Sequence, residues 1–119
     1  MTDTIGWLAE PEEHNYPAAL SYLQLLFPKA RAAELVEKLK AAEVLLFKAK
    51  DIFRASGLSL LGVSNSHVDK DRRKIASGKM LSPILLVRSE GKLIIADGYH
   101  RMCAVYAVDE DALIPCKIV

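Results

Sequence analysis

The sequence is poor in cysteine, and its two cysteines form no functional pattern. Cys103 and Cys116 both lie among apolar residues, and neither belongs to a C-x-x-C zinc spacing. The first residues have no basic segment followed by an apolar one, so a secretory signal is not expected. We therefore predict two free, buried thiols in a cytoplasmic protein rather than a secreted disulfide framework.

The sequence also lacks long hydrophobic runs and a strong net charge. Its longest apolar runs are far shorter than the ~20 residues that a membrane-spanning helix needs. A net charge of +1 over 119 residues gives no overall field that attracts nucleic acid or an anionic membrane. Hydrophobic residues make up 51% of the chain and charged residues 26%, which is typical of a folded globular domain.

Charge is nevertheless concentrated in the middle of the chain. Residues 44–80 contain eight basic and three acidic residues, a local net charge of +5. A solvated helix face is the ordinary interpretation of such a segment. Nucleic-acid binding is the alternative, but no aromatic residues are interleaved with the basic ones for base stacking. The sequence therefore does not favour autonomous DNA binding.

The first third of the chain predicts a loose arm followed by a helical hairpin. Residues 1–14 are polar and acidic and show no periodicity. Pro17 suits the first turn of a helix, and Pro28 ends that helix or opens the next one, which runs from about Lys29 to Ala42. We expect residues 1–43 to pack on the rest through a leucine stripe. A protein partner binding these helices is the alternative use of the stripe.

The remaining residues, 44–119, predict a small mixed sheet surrounded by helices, an α/β fold of the α+β-like kind. Strands are expected at residues 44–47, 84–87, 92–96 and 114–119. Residues 57–68 contain two glycines and an Asn-Ser pair and are expected to form a loop. A short charged helix is predicted from Asp69 to Ser77, with Gly78 as its left-handed cap. An almost entirely apolar helix is predicted over 99–107.

The strand-to-helix junction Ala96-Asp97-Gly98-Tyr99-His100-Arg101 is the strongest candidate for chemistry. The first amides of a helix lack intrahelical acceptors and lie at the positive end of the helix dipole. Gly98 tolerates positive φ and lets a ligand approach the backbone. Arg101 offers a planar fork for phosphate oxygens, and His100 offers a ring N–H. These features predict an anion site.

The role of Asp97 is left open by its position beside this site. Three roles fit it: the helix N-cap, a ligand of Mg²⁺ that bridges phosphates, or a base that takes a proton from a substrate hydroxyl. Capping is the simplest of the three. In the capping interpretation Gly98 only turns the chain, and His100 and Arg101 are solvated.

Three segments give the chain a resemblance to the ParB/sulfiredoxin superfamily, especially to the N-terminal domain of ParB proteins. They are Lys74–Val87, Ile94–Ala104 and Ile114–Val119, within a similar stretch that runs from Phe47 to the last residue. The resemblance implies a ParB/sulfiredoxin-like fold with the helical hairpin added outside it. It also implies that the turn holds nucleotide phosphates, with ATP or another nucleotide and Mg²⁺ as the expected cofactors.

The resemblance implies binding residues in two places. Gly98, Tyr99, His100 and Arg101 belong to the turn. His67 and Lys79, with their neighbours Asn65, Lys70 and Arg72, would form a second wall. The alternative for His67 is a loop residue that bonds its own backbone. Free-serine kinases of this fold are similar in carrying an acidic residue and a glycine before a histidine. That similarity makes Asp97 and His100 candidate catalytic residues.

The sequence departs from both branches of the superfamily. Tyr99 stands where sulfiredoxins have their catalytic cysteine, so sulfiredoxin activity is not expected. A ParB protein carries a helix-turn-helix domain after the similar block, whereas this sequence ends at Val119. The predicted function is a nucleotide-phosphate-binding domain, with ATPase or kinase-like phosphotransfer left open. A non-enzymatic protein-interaction or regulatory module is the alternative.

Overall fold

The structure is a computed structural model that describes residues 4–119. Five helices and four strands follow one another in this part of the chain. Their order is α1 (Asn15–Leu23), α2 (Lys29–Ala41), β1 (Leu45–Lys48), α3 (Ala49–Ser56), α4 (Ser66–Ala76), β2 (Ile84–Ser89), β3 (Lys92–Asp97), α5 (Tyr99–Val108) and β4 (Leu113–Ile118). The expected small mixed sheet with surrounding helices is therefore confirmed.

The four strands form one sheet in the order β1-β4-β2-β3. β4 is antiparallel to β1 and parallel to β2, while β2 and β3 form an antiparallel hairpin. The parallel strands β2 and β4 are connected through β3 and α5, and this connection is long enough to bring the chain back to the end of the sheet where β2 begins. The carboxyl end of β3 and the start of α5 thus lie at one edge of the sheet.

Helices cover both faces of this sheet, which explains why β2 reads as a continuous apolar run. Ile84 and Leu86 point to one face and pack with residues of α3, α4 and α5. Leu85 and Val87 point to the other face and pack with residues of α1 and α2. The leucine stripe of the hairpin is core, since Leu23, Leu35 and Leu39 are all buried in this second cluster.

The described part of the N-terminal arm is attached to the core, which corrects the expectation of a loose segment. Trp7 forms a parallel bridge with Leu81. The Leu8 amide donates to the Leu81 carbonyl at 2.8 Å, and the Leu81 amide donates to Gly6 at 2.9 Å. The Glu12 amide donates to the Ser82 hydroxyl at 3.1 Å. Residues 1–3 of the predicted arm lie outside the described residues.

The buried side chain of Lys117 on β4 contacts both the N-terminal arm and the helical hairpin. Lys117 is only 2% exposed, and its ammonium donates to the carbonyl of Lys40 at 2.9 Å. The same ammonium lies 3.1 Å from the carboxylate of Glu10 and 5.8 Å from the ring centre of Tyr16. A buried charge of this kind needs such partners. Among residues 4–119, no helix has the length and apolarity required to cross a lipid bilayer.

Candidate functional site

The turn between β3 and α5 has an open helix N-terminus. Gly98 is the N-cap with φ of 108°, and the first intrahelical bond runs from the Met102 amide to the Gly98 carbonyl at 2.9 Å. No side chain of residues 4–119 caps the helix. The amides of the first turn therefore point outward without a capping acceptor, and the helix dipole favours an anion there.

Gly98 is required by packing as well as by its backbone conformation. A Cβ atom built at this position would lie 2.8 Å from Cγ1 of Ile84 and 3.0 Å from Nη2 of Arg101. The missing side chain thus makes room for the protein interior. We expected the absence of a side chain at Gly98 to leave room for a ligand. That expectation is corrected, because Ile84 and Arg101 already occupy this space.

Asp97 does not cap the helix, so the simplest expectation for it was wrong. Its Oδ2 atom accepts a hydrogen bond from Nη2 of Arg101 at 3.1 Å, and both side chains are mostly buried. A carboxylate paired with a guanidinium is a poor ligand for Mg²⁺, because the two cations repel each other. Within residues 4–119 no cluster of three or more His, Cys, Asp or Glu side chains is arranged to hold a metal ion. A Mg²⁺ ion held by Asp97 together with ligand phosphates needs no such cluster, so this role of Asp97 stays a prediction.

Arg101 is oriented by the same pair and is not a free phosphate fork. Nη2 also donates to the carbonyl of Pro83 at 3.3 Å, so one terminal nitrogen is engaged within the fold. Its Nε atom is buried and has no hydrogen-bond partner among the described residues. Arg101 lines the base of the site and supplies positive charge that Asp97 largely balances.

The rings of His67 and His100 lie next to each other where α4 and α5 meet. Their ring centres lie 4.8 Å apart with the planes inclined by 40°. His67 is not a loop residue as one interpretation had it, because α4 starts at Ser66, three residues before the predicted start. Asn65 causes this earlier start by accepting from the amides of His67 at 3.0 Å and Val68 at 3.3 Å.

The environment of His100 disfavours its protonated form. Burial is the main cause that lowers its pKa from the usual value, and the adjacent His67 lowers it further. Asp71, which is buried on α4, acts in the opposite direction. An anion placed between the two imidazoles would remove this penalty, because it would stabilise the protonated rings.

The two histidines lie in a polar cleft of about 210 Å³ between the first turn of α5 and one face of α4. Its lining includes five of the six residues of the predicted turn and one face of α4, namely His67, Lys70, Asp71, Lys74, Asp97, Gly98, Tyr99, His100 and Arg101. Positions 67, 70, 71 and 74 share one helix face because they are spaced by three or four residues. Within residues 4–119 no salt bridge engages Lys70 or Lys74.

The structure changes which lysines belong to the second wall. Lys79, a predicted binding residue, does not line the cleft. It lies in an adjacent depression of about 560 Å³ on the outer side of α4, which Arg73 and Ser77 line and to which the cleft residues Lys70 and Lys74 also contribute. Lys74 takes part in the cleft and was missed by sequence reasoning. Lys74 follows His67 by seven residues, which is two helical turns, so the two share a helix face. This spacing is informative only once His67 is known to be helical.

Tyr99 and Cys103 show why the site is unsuited to thiol chemistry. The Tyr99 hydroxyl donates to the carbonyl of Ser59 at 2.5 Å, which holds the ring against the preceding loop. Cys103 is buried, its sulfur accepts from the Leu61 amide at 3.5 Å, and burial raises its pKa above the usual value. Since the thiolate is the reactive form of cysteine, this burial disfavours thiol chemistry at Cys103.

A second pocket, of about 420 Å³, lies on the opposite side of the turn. The hairpin contributes Ala18 and Tyr22, and Leu58 comes from the loop after α3. The pocket also reaches residues 95–100, so it shares Asp97, Gly98, Tyr99 and His100 with the cleft. No sequence signal indicated it, because it depends on how the hairpin packs against β3.

The cleft, the open helix terminus and the adjacent pocket thus form one continuous region around the start of α5. Its predicted likeness to ParB and sulfiredoxin phosphate turns rests on the sequence segments given above. No protein-family model, curated protein or solved structure matches the chain.

Proposed function

We propose that the chain binds the phosphate groups of a nucleotide in the cleft between α4 and α5. The observation that supports this proposal is the convergence of Lys70, Lys74 and two imidazoles on an uncapped helix N-terminus. Ammonium groups, imidazole N–H groups and backbone amides are all donors to phosphate oxygens.

The charge balance of the cleft favours an anion. Asp97 and Arg101 neutralise each other through their salt bridge. The remaining lining residues with basic or acidic side chains are two lysines, two histidines and Asp71, while the Tyr99 phenol is uncharged. The local charge is therefore positive at neutral pH and rises further when the histidines take up protons.

The size of the cleft suits the phosphate portion of a ligand. Pockets that enclose a whole drug-sized ligand have volumes of roughly 300–1,000 Å³. The cleft, at about 210 Å³, is smaller than this range. It is therefore suited to hold phosphate groups while the rest of the ligand extends beyond it.

Binding, and not phosphotransfer, is the function that the geometry supports. A general base must lie within hydrogen-bond reach of the substrate proton, whereas Asp97 directs its Oδ2 atom towards Arg101 within the fold. His100 remains able to donate a hydrogen bond to phosphate. In this proposal the role of Asp97 is to position Arg101.

Isothermal titration calorimetry with pyrophosphate tests this proposal. Lys74→Ala removes a cleft ammonium, and we expect a loss of affinity of about tenfold or more, the usual range for a hydrogen bond to a charged group. Lys79→Ala is the matched control, since it removes the same charge outside the cleft. No heat at millimolar pyrophosphate, or an equal loss in both variants, contradicts the proposal.

Exposed apolar residues at the tip of the hairpin support a protein-interaction module as a second candidate. Leu25 is 81% exposed and Leu26 is 48% exposed, directly after α1. Large apolar side chains at adjacent exposed positions are common in contact surfaces. Light scattering tests this candidate: we expect concentration-dependent association that Leu25→Asp abolishes. A strictly monomeric wild-type chain would speak against self-association through this tip.

A cytoplasmic location is part of the same proposal as nucleotide binding. Cys103 and Cys116 are both buried and unpaired. Such thiols persist in a reducing compartment, where nucleotides are also abundant. Fractionation of cells that produce the tagged chain tests this, and recovery outside the cytoplasm would contradict it.

A further inference from the structure

We infer that the pocket on the hairpin side of the turn takes the base of the nucleotide whose phosphates lie in the cleft. This inference rests on the proposed phosphate binding. It assigns a recognition role to the N-terminal helices, which lie outside the segments that resemble a known superfamily. The key residue is Tyr22, on the last turn of α1.

The pocket and the cleft are joined by the first residues of α5. Both are lined by Asp97, Gly98, Tyr99 and His100, so a ligand that bends around the helix terminus occupies both. With volumes of about 420 and 210 Å³, the two spaces together suit a mononucleotide, whereas the cleft alone does not.

The walls of the pocket suit a flat heterocycle. Tyr22 is 41% exposed and presents an aromatic surface, while Ala18 and Leu58 complete an apolar wall. Aromatic side chains stack on all bases, because every base has a π-face. An aromatic residue at the margin of a cationic cleft is thus suited to a ligand with a ring at one end and phosphates at the other.

The floor of the pocket adds hydrogen-bonding groups. Ile95 and Ala96 both line it, yet their side chains are buried on opposite faces of the sheet. The part of β3 that reaches the pocket is therefore its backbone edge. Because β3 is the last strand of the sheet formed by the described residues, this edge has no strand partner. Its amides and carbonyls can bond the polar edge of a base.

Two variants of Tyr22 separate base binding from phosphate binding. ATP and tripolyphosphate are titrated into the wild-type chain, Tyr22→Ala and Tyr22→Phe. For Tyr22→Ala we expect about tenfold weaker ATP binding, the effect of losing one stacking contact, and unchanged tripolyphosphate binding. Tyr22→Phe keeps the ring and should retain ATP affinity. Leu25→Ala is a control, since Leu25 is exposed nearby and lines neither space.

Each outcome decides between the inference and the function on which it rests. If tripolyphosphate binds and Tyr22→Ala leaves ATP affinity unchanged, the inference fails while the phosphate proposal stands. If neither ligand binds to the wild-type chain, both fail. If the wild-type chain self-associates and Tyr22→Ala abolishes that association, the pocket belongs to a second copy and the base assignment is wrong. Folding of each variant is checked by circular dichroism, and Tyr22 is exposed enough that its loss should be tolerated.

Discussion

Replacing Gly98 by alanine should destabilise the fold through two separate effects. The first is backbone strain, since φ of 108° is a conformation that L-residues rarely adopt. A non-glycine residue in such a region costs roughly 1–3 kcal/mol. The second is overpacking, because the new Cβ would lie 2.8 and 3.1 Å from two side-chain carbons of the buried Ile84. Overpacking of a core costs a further 1–3 kcal/mol or so.

A second glycine separates the two effects. Gly91, in the turn between β2 and β3, has φ of 80°, but a Cβ there meets no atom of the described part of the chain within 4 Å. Gly91→Ala therefore measures strain alone, and both substitutions share the same gain from a less flexible unfolded chain. In urea unfolding we expect Gly98→Ala to lose at least ~1 kcal/mol more than Gly91→Ala. Equal losses would show that the turn is not packed tightly against β2.

Further predictions concern the buried lysine, the histidine pair and the thiols. Lys117→Met leaves the Lys40 carbonyl without its donor and should cost about 1–3 kcal/mol in urea unfolding, whereas Glu10→Gln, at an exposed partner, should cost less than ~1 kcal/mol. Because burial and then His67 lower the pKa of His100, the unfolded chain binds this proton more readily. The contribution of His100 to stability is therefore complete above its unfolded pKa and is lost as pH falls through that value towards the folded pKa. In an NMR titration, His67→Asn should raise the pKa of His100, and an unchanged value would contradict the proximity of the two rings. Burial raises the pKa of Cys116 to about 12 and also raises that of Cys103, so a thiol reagent should label neither residue in the folded chain at pH 7.5; rapid native labelling would oppose this.

The sequence predicted the order of strands and helices with errors of a few residues at their ends. This succeeded because the period of apolar residues reports burial directly. The start of α4 was missed because Asn65-Ser66 was taken as part of a loop, although Asn is also one of the best helix N-caps. Placing His67 on the first turn of α4 is what brings its ring to His100.

The role of Asp97 was beyond the reach of local reasoning. At the end of a strand, before a glycine and a helix, aspartate is typically a cap. Here Gly98 takes the N-cap position, and Asp97 pairs instead with Arg101 four residues later. The sequence is compatible with either role of Asp97, the cap or the partner of Arg101. What distinguishes them is the position of Arg101, whose Nη2 atom also donates to the carbonyl of Pro83.

Long-range contacts account for the other omissions. Lys117 lies in a strand that otherwise looks apolar, and its partners Glu10 and Lys40 are distant in sequence. The hydrogen bonds between residues 6–12 and residues 81–82 likewise join segments that are distant in sequence. The pocket beside Tyr22 likewise arises only when the hairpin packs against β3. None of these features has a periodic or motif-like signal.

Backbone amide NMR with added pyrophosphate tests the central claim most directly. If phosphate binds at the open N-terminus of α5, the largest shifts should fall on the amides of Tyr99, His100 and Arg101, with smaller shifts along the His67 face of α4. Largest shifts confined to the outer side of α4, around Ser77 and Lys79, would place the anion elsewhere. Such a result, or no shifts at millimolar pyrophosphate, would contradict phosphate binding at this turn.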